Sequence, residues 1–206
     1  MTCALSQETL QQVIAFHGHS CPGLTLGIRA AEMALRELGP RASDEEIVAV
    51  TETDMCGVDA VQFLTGCTFG KGNLLYRDRG KVAFSFYRRS DGKSFRLVAK
   101  PFRMDGDDGS RQDMLRRKAA AQELTPEETE ELRRIRQKRI DALLAAPLEA
   151  LFDIKPVEES LPPKARLFRS VPCSCCGETF MEPRGRLFEG ETLCLSCFEK
   201  RTGRKD

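Results

Sequence analysis

The sequence predicts a fold that combines helices with a β-sheet and ends in a small cysteine-rich module. Three observations support this prediction. Apolar residues recur at three- and four-residue spacing over 24–38, which indicates a helix with one buried face. Alternating apolar residues follow between 74 and 100, which indicates strands. Two C-x-x-C pairs lie near the end of the chain, at Cys173–Cys176 and Cys194–Cys197.

The composition limits the classes of protein to which this chain can belong. A chain of 206 residues is long enough for one or two domains. The net charge of +1 gives no general field that would attract nucleic acid or an anionic membrane. The sequence shows no basic, apolar leader and no apolar run long enough to span a membrane, so we expect a cytoplasmic protein without membrane contact. In a reducing compartment, nine cysteines favour metal binding or thiol chemistry.

The first two predicted helices flank a segment rich in histidine and cysteine. One helix starts after Ser6 and extends to Phe16. The other starts at Pro22, because proline is tolerated at the first helical position, and ends before Gly39. Three small residues recur at four-residue spacing on this second helix: Gly23, Gly27 and Ala31. They would allow another backbone, either a strand or a second copy of the helix, to approach closely.

The middle of the chain carries the strand signals. A short helix is predicted at 58–64, followed by a glycine-rich loop at 66–74. This loop lacks the spacing of a Walker A motif, so we do not expect nucleotide hydrolysis. Four strands are predicted from β-branched or alternating apolar residues: 47–52, 74–77, 82–88 and 95–100.

Two further helices are predicted at 110–122 and 126–145, after a loop at 105–109 that we expect to be solvated. Their alternating charges favour a solvated face over a nucleic-acid surface. Since these helices have no obvious place in a small core, they also favour a dimer. Prolines over 155–165 predict a semi-rigid linker. The expected domains are a core at 1–155 that includes a helical extension at 110–146, a linker at 156–168 and a zinc finger at 169–206.

The four tail cysteines, Cys173, Cys176, Cys194 and Cys197, predict a structural zinc site. Each C-x-x-C turn presents two sulfur atoms on one side. A tail of about 40 residues is too small for a core of its own, so the metal would supply its folding free energy. An iron centre and a thiol redox pair are the alternatives. Cys175 is a spare thiol that could exchange with Cys173 as a ligand.

Both histidines of the chain lie beside a cysteine, in the order His17, His19 and Cys21. Imidazole and thiolate are ligands for zinc and iron. Cys21 is also a candidate nucleophile, because the helix N-terminus predicted there favours a thiolate. Cys56 follows a strand end and is expected to join this cluster, with Cys67 as a further candidate. The alternatives are hydrogen-bonded loop or core histidines and, for Cys56 and Cys67, small buried side chains.

Lys71 lies in the same glycine-rich loop as Cys67. Its ammonium group could bind an anionic group of a substrate. An ordinary exposed lysine is the alternative, and the one that we favour.

Three segments resemble the FmdE family, whose members are named as the E subunit of formylmethanofuran dehydrogenase after the operons of a molybdenum enzyme. They are HGHSCPGLTLGIRA at 17–30, CGVDA at 56–60 and GCTFGKGNL at 66–74. The cysteine tail is similar to the DksA/TraR type of four-cysteine zinc finger. Because some FmdE proteins carry such a finger, the resemblance extends over roughly 10–200, nearly the whole chain.

The resemblance implies an α+β core with a mixed sheet, a treble-clef or zinc-ribbon-like finger, and an intertwined homodimer with exchanged helices. It also implies a core cavity lined by the histidine and cysteine motif. In that cavity, Cys21 and Cys56 are the candidate catalytic residues. The expected metal ligands are His17, His19, Cys21 and Cys56, and the expected cofactor- or substrate-binding neighbours are Asp59, Cys67 and Lys71.

We therefore expect a metal-binding protein with structural zinc in the tail and a second metal, zinc or iron, in the core. It would act in redox metabolism or in accessory chemistry for a molybdenum or tungsten enzyme, which would then be its protein partner. The alternative is a regulatory module that senses a metal or small ligand and uses the finger to contact protein or RNA. A third hypothesis is an inert structural protein that only supports an enzyme complex.

Overall fold

The computed structural model describes residues 3–41, 44–102, 104 and 109–204. The chain divides into two compact units, 1–164 and 165–206. Most of the loop expected at 105–109 lies outside the described residues. The helices of the first unit are α1 (Gln7–His17), α2 (Pro22–Leu38), α3 (Gly57–Thr65), α4 (Gly109–Ala121), α5 (Pro126–Ala145) and α6 (Leu148–Leu151). Its strands are β1 (Ile47–Thr51), β2 (Leu74–Tyr76), β3 (Ala83–Arg88), β4 (Ser94–Ala99) and β5 (Phe152–Lys155).

The five strands form one mixed sheet in the order β2-β1-β3-β4-β5. Strands β1 and β2 are parallel, and the other neighbours are antiparallel. Because successive side chains of a strand alternate between faces, the two faces bury different residues. The inner face packs on helices, through side chains such as Ala49, Phe84, Phe86 and Leu97. The outer face carries a smaller cluster of Val48, Val50 and Tyr87. The predicted α+β fold is confirmed.

Helices α1 and α2 begin where the sequence predicts, and each is capped by a side chain. The hydroxyl of Ser6 accepts a hydrogen bond from the backbone N–H of Thr9 at 3.1 Å. At the start of α2, the sulfur of Cys21 accepts one from the N–H of Leu24 at 3.3 Å. The α1 helix ends at Gly18, whose φ of +95° lies in the left-handed region that glycine adopts without strain.

The close approach predicted along α2 is made by α3, a different helix, and not by the expected strand or second copy of α2. A Cβ atom added to Gly27 would lie 2.2 Å from the carbonyl oxygen of Gly57, far inside van der Waals contact. The next small residue towards the N-terminus, Gly23, lies against Cys56, where an added Cβ atom would be 3.4 Å from the Cys56 Cβ atom. The backbones of the two helices therefore touch, and no larger residue fits between them.

A buried ion pair ties α2 to the rest of the first unit. Arg29 is 1% exposed and donates to the Glu32 carboxylate at 2.5 Å and to the carbonyl of Ala146 at 2.7 Å. The second oxygen of Glu32 accepts from the backbone N–H of Ala4 at 3.0 Å. A buried charge needs such partners, because its removal from water is otherwise costly.

The helical extension also has a place within one chain. Helix α5 packs on α2, and Leu143 of α5 belongs to the main core. Helix α4 packs on α5, with Leu115 and Leu132 buried. Because these apolar faces are covered inside the chain, the two helices do not by themselves favour a dimer.

The edge strand β5 was not predicted, and it changes the interpretation of the linker. Phe152–Lys155 pairs antiparallel with β4, but only two of its four residues are apolar, which is too short a pattern to identify a strand. The chain then turns back over the outer face of the sheet, where Val157 packs beside the Val48 cluster. The Arg89 guanidinium donates to the carbonyl of Pro162 at 2.8 Å. The first part of the predicted linker therefore lies on the sheet.

The second unit is built from two short hairpins and a helix. Its strands and helix are β6 (Ser170–Pro172), β7 (Thr179–Met181), β8 (Arg186–Phe188), β9 (Glu191–Leu193) and α7 (Leu195–Thr202). Its core is small, with Leu193 fully buried and the rings of Phe188 and Phe198 in an edge contact at 6.0 Å. Among the helices that the structure describes, none has the length and apolar character needed to cross a membrane.

We expect Gly27→Ala to destabilise the protein by at least about 2 kcal/mol, because the added methyl group would overlap backbone atoms of α3 that cannot rotate away. Chemical denaturation measures the change in the free energy of unfolding. The matched control is Gly70→Ala, where nothing lies within 4 Å of an added Cβ atom. We expect the control to stay within about 0.5 kcal/mol of the wild type. Equal stability of the two variants would contradict the close contact between α2 and α3.

Candidate metal centres

Three helix ends converge at one corner of the first unit. His17 is the last residue of α1, Cys21 is the N-cap of α2, and Cys56 immediately precedes α3. One donor atom from each of these three side chains lies within 4.8 Å of the other two. Imidazole nitrogen and cysteine sulfur are the donors that zinc and iron accept, so this group has the composition of a metal site.

The orientation of His17 is fixed by α3. Its ring is hydrogen-bonded through Nδ1 to the Asp59 carboxylate, at 2.7 Å, and the side chain is only 10% exposed. The other ring nitrogen, Nε2, is directed at the Cys21 sulfur at 4.0 Å. The contact between the rings of Phe16 and Phe63, at 5.5 Å between centroids, holds α1 beside α3. Metal-binding histidines in proteins are commonly oriented in this way: the ring nitrogen that does not bind the metal donates a hydrogen bond to a carboxylate.

Two opposing effects act on the charge of the sulfur atoms at this corner. The N-termini of α2 and α3 both lie here, and their backbone dipoles stabilise an anion. Burial and the adjacent Cys21 thiol, however, raise the pKa of Cys56. Two thiolates at this distance repel each other unless a cation lies between them. The donor set therefore fits a divalent cation, which would hold both sulfur atoms in the thiolate form.

His19 lies beside this group but outside it. Its ring is tilted against the ring of His17, with 4.5 Å between centroids, and the residue is exposed. Of the four residues predicted to bind the core metal, the structure groups His17, Cys21 and Cys56. His19 contributes a ring contact to His17.

Cys67 and Lys71 lie at the other end of α3, which at nine residues is about 13 Å long. The Cys67 thiol is fully buried and donates to the carbonyl of Ile47 at 3.3 Å. The Lys71 ammonium donates to the carbonyl of Asp44 at 3.1 Å. The structure does not bring these two residues to the histidine and cysteine group. They anchor the glycine-rich loop beside the start of β1.

Asp59 has a more specific place than the sequence indicated. The family resemblance made it a neighbour of the pocket, and the structure makes it the hydrogen-bond partner of His17. One signal in the sequence could have suggested this. Asp59 follows Cys56 by three residues at the start of a predicted helix, so the two side chains lie on the same face.

The second unit brings the four predicted tail cysteines together. One sulfur from each of Cys173, Cys176, Cys194 and Cys197 lies within 4.8 Å of the others. The first pair lies in a tight turn between β6 and β7, which Gly177 closes with a φ of +75°. The second pair lies at the N-terminus of α7. A tight turn followed by a hairpin and a helix that supplies the last two ligands is the order of a treble-clef finger.

The four thiols cannot all ionise without a cation. Backbone N–H groups of Cys176 and Cys194 lower the pKa of Cys173 to about 6. The neighbouring thiols, with Cys194 the most important, raise the pKa of Cys197. Zinc removes this conflict because it binds four thiolates at once. Cys175, the spare thiol, is exposed and lies outside the group.

Comparison with known proteins agrees with both units. A family model described as FmdE, molybdenum formylmethanofuran dehydrogenase operon, matches residues 16–153. A model of the prokaryotic dksA/traR C4-type zinc finger matches residues 166–203. The match to the zinc finger and the four-thiol group together identify the tail as a C4 zinc finger.

One curated relative is a probable S-adenosyl-L-methionine-binding protein of Archaeoglobus fulgidus, 32% identical over 193 residues. The alignment covers 88% of this chain but 50% of that protein, so the chain spans about half the length of this relative. Among solved structures, a tungsten formylmethanofuran dehydrogenase FmdE-like protein from Syntrophus aciditrophicus is similar over 98% of both chains. The TM-score is 0.62 and the sequence identity is 26%. Because the FmdE model matches more than half of the 206 residues, this chain belongs to the FmdE family and carries a C4 zinc finger in addition.

Proposed function

We propose that the core of this FmdE protein binds one zinc or iron ion through His17 Nε2, Cys21 Sγ and Cys56 Sγ. The observation that carries the proposal is the hydrogen bond between Asp59 and His17, which turns Nε2 towards the sulfur atoms. Three protein ligands leave one position of a tetrahedral ion open. Two cysteines and one histidine are a ligand set that catalytic zinc sites use.

Each residue of the core site has a distinct task in this proposal. Cys21 and Cys56 supply two negative charges that balance a divalent ion, and the two helix N-termini stabilise them. His17 supplies the third donor, and Asp59 keeps it in the tautomer with a proton on Nδ1. When bound, the ion would act as a Lewis acid towards a ligand in the open position.

The tail metal has a different task. Four thiolates complete the coordination of zinc and leave no open position, which is typical of a structural site. The zinc would supply folding free energy to a unit whose own apolar core is small.

At the level of the cell, we propose a role in redox metabolism as an accessory protein of a molybdenum or tungsten enzyme. The family description and the name of the Syntrophus relative support this role. Binding of S-adenosyl-L-methionine, named for the Archaeoglobus relative, is not part of the proposal, because this chain spans half of that protein.

We further propose that the protein is a homodimer whose partner chain covers the face around the core site. Two large apolar residues next to ligands support this, since Phe16 is 49% exposed and Met55 is 61% exposed. Apolar side chains grouped beside a site are typical of an interaction surface.

The metal content of cysteine variants, one in each site, tests the two sites. Elemental analysis of anaerobically purified protein is expected to give about two metal equivalents per chain. Cys21→Ser should remove the core equivalent and leave the zinc of the finger, whereas Cys176→Ser should do the reverse. Cys175→Ser is the matched control and should keep both equivalents, because its thiol lies outside the two groups. An unchanged metal content in Cys21→Ser would refute the core site.

Asp59→Asn tests the orientation of His17. We expect the affinity of the core for its metal to fall by about 10- to 100-fold, since the ligands remain but their carboxylate support is lost. Competition with a chelator measures this affinity. Asp54→Asn removes an exposed carboxylate two residues before Cys56 and serves as control. If both variants resist the chelator as well as the wild type, Asp59 has no supporting role.

Light scattering at micromolar concentration tests the dimer. We expect twice the mass of one chain for the wild type and a shift towards the monomer for Met55→Asp, because a charge would then be buried in the interface. Leu187→Asp is the control, since Leu187 is 78% exposed and belongs to the finger. A wild-type protein with the mass of one chain would rule out the dimer.

A further inference from the structure

A pocket with a volume of about 350 Å³ lies on the outer face of the sheet. Its floor is formed by β1, β3, β4 and β5, and residues 156–159 form one wall. The helices and the histidine and cysteine group belong to the inner face and its corner, and none of the three grouped ligands lines this pocket. The pocket is therefore separate from the proposed core metal site.

The register of the strands fixes which side chains meet on the floor. Val50 pairs with Ser85, Ser85 with Arg96, and Arg96 with Lys155. Directly paired residues point to the same face of a sheet, so these four side chains form one row across the pocket. An apolar residue stands at one end of the row, a hydroxyl near its middle and two cations at the other end.

Two polar groups of this row have no side-chain partner among the described residues, the hydroxyl of Ser85 and the ammonium group of Lys155. Ser85 is only 5% exposed, it lines the pocket, and no described residue forms a hydrogen bond with its hydroxyl. Its oxygen is open to the pocket, because among the described residues the only fully buried side-chain polar atom without a partner is Arg29 Nε. Water or a ligand can therefore hydrogen-bond to the Ser85 hydroxyl. An oxygen of a ligand in the pocket would accept this hydrogen bond in place of water.

The charges around Ser85 indicate what such a ligand carries. Glu52 is a buried carboxylate at the edge of the pocket, and it is neutralised by Arg96, with hydrogen bonds of 2.6 and 2.8 Å. This pairing holds the pKa of Glu52 below its usual value. Lys81 and Lys155 also line the pocket, and neither forms an ion pair with any residue that the structure describes. Glu158 lines the pocket as well and acts on Arg96, so that four cationic and three anionic side chains surround it.

The wall formed by residues 156–159 contributes a carboxylate, and an anionic ligand could take its place. Glu159 forms an ion pair with Arg79, and both side chains are partly exposed, at 43% and 45%. An exposed ion pair is weak, because water competes for both partners. An anion in the pocket would therefore compete with Glu159 for Arg79.

We propose that this pocket binds a small organic molecule that carries an oxyanion, either a phosphate or a carboxylate. The oxyanion accepts a hydrogen bond from Ser85 and lies within the field of Lys81 and Lys155. The apolar body of the molecule packs on Val50 and the ring of Tyr87, which complete the floor.

Isothermal titration calorimetry tests the proposal. The full-length, metal-loaded protein is titrated with two probes, phenyl phosphate and benzoate. Ser85→Ala and Lys155→Gln should each weaken binding by about five-fold or more, because each removes a contact to a charged group. Glu159→Gln should strengthen binding, because it releases Arg79 and removes a negative charge. Lys138→Gln, an exposed lysine on α5, is the control and should leave the affinity unchanged.

The thermal unfolding midpoint of each variant shows whether it folds, and Ser85→Ala should unfold at the wild-type temperature because its hydroxyl has no partner to lose. Tighter binding of phenyl phosphate would identify a phosphate ligand, and tighter binding of benzoate a carboxylate ligand. Failure of both probes to bind saturably would overturn the proposal. So would affinities that are unchanged in folded Ser85→Ala and Lys155→Gln.

Discussion

The contact between the backbones of α2 and α3 positions the candidate core site. Gly27 and Gly57 allow the helices to touch, and this contact fixes how far one helix can slide along the other. Since Cys21 precedes α2 and Cys56 precedes α3, the same contact sets the distance between the two sulfur atoms. Gly23 leaves the room that the Cys56 side chain occupies. The geometry of the corner is thus a consequence of three missing side chains.

The zinc finger and the candidate core site bring similar donor atoms together in different ways. In the finger, all four sulfur atoms come from two short turns of one small unit, and the local sequence determines the set. In the core, the three donors come from the ends of three helices, and long-range packing determines the set. The finger can therefore be recognised from the local spacing of its cysteines alone. A site assembled from helix ends also needs the packing of those helices to be known.

This difference explains which parts of the fold and of the candidate core site could be predicted from the sequence. The long helices were located closely, because their apolar periodicity, the N-cap Ser6 and Pro22 at the first position of α2 are strong local signals. The grouping of Cys21 with Cys56 followed from the family resemblance and from the position of Cys56 after a strand. Cys67 was expected in the same cluster, but α3 separates it from Cys56 by its full length. The four-residue strand β5 and the unpartnered Ser85 hydroxyl depend on pairing across the sheet, which no local pattern reveals.

The position of β5 has a consequence for how the sheet forms. Its partner β4 ends at Ala99, and β5 starts at Phe152, so the whole helical extension lies between two adjacent strands. Pairs that are distant along the chain close slowly, because the intervening segment loses conformational freedom when its ends meet. The intervening helices α4 and α5 pack on each other over a short sequence separation, and local contacts of this kind form early in folding. Packing of α4 on α5 shortens the effective loop between β4 and β5 before the last strand joins the edge of the sheet.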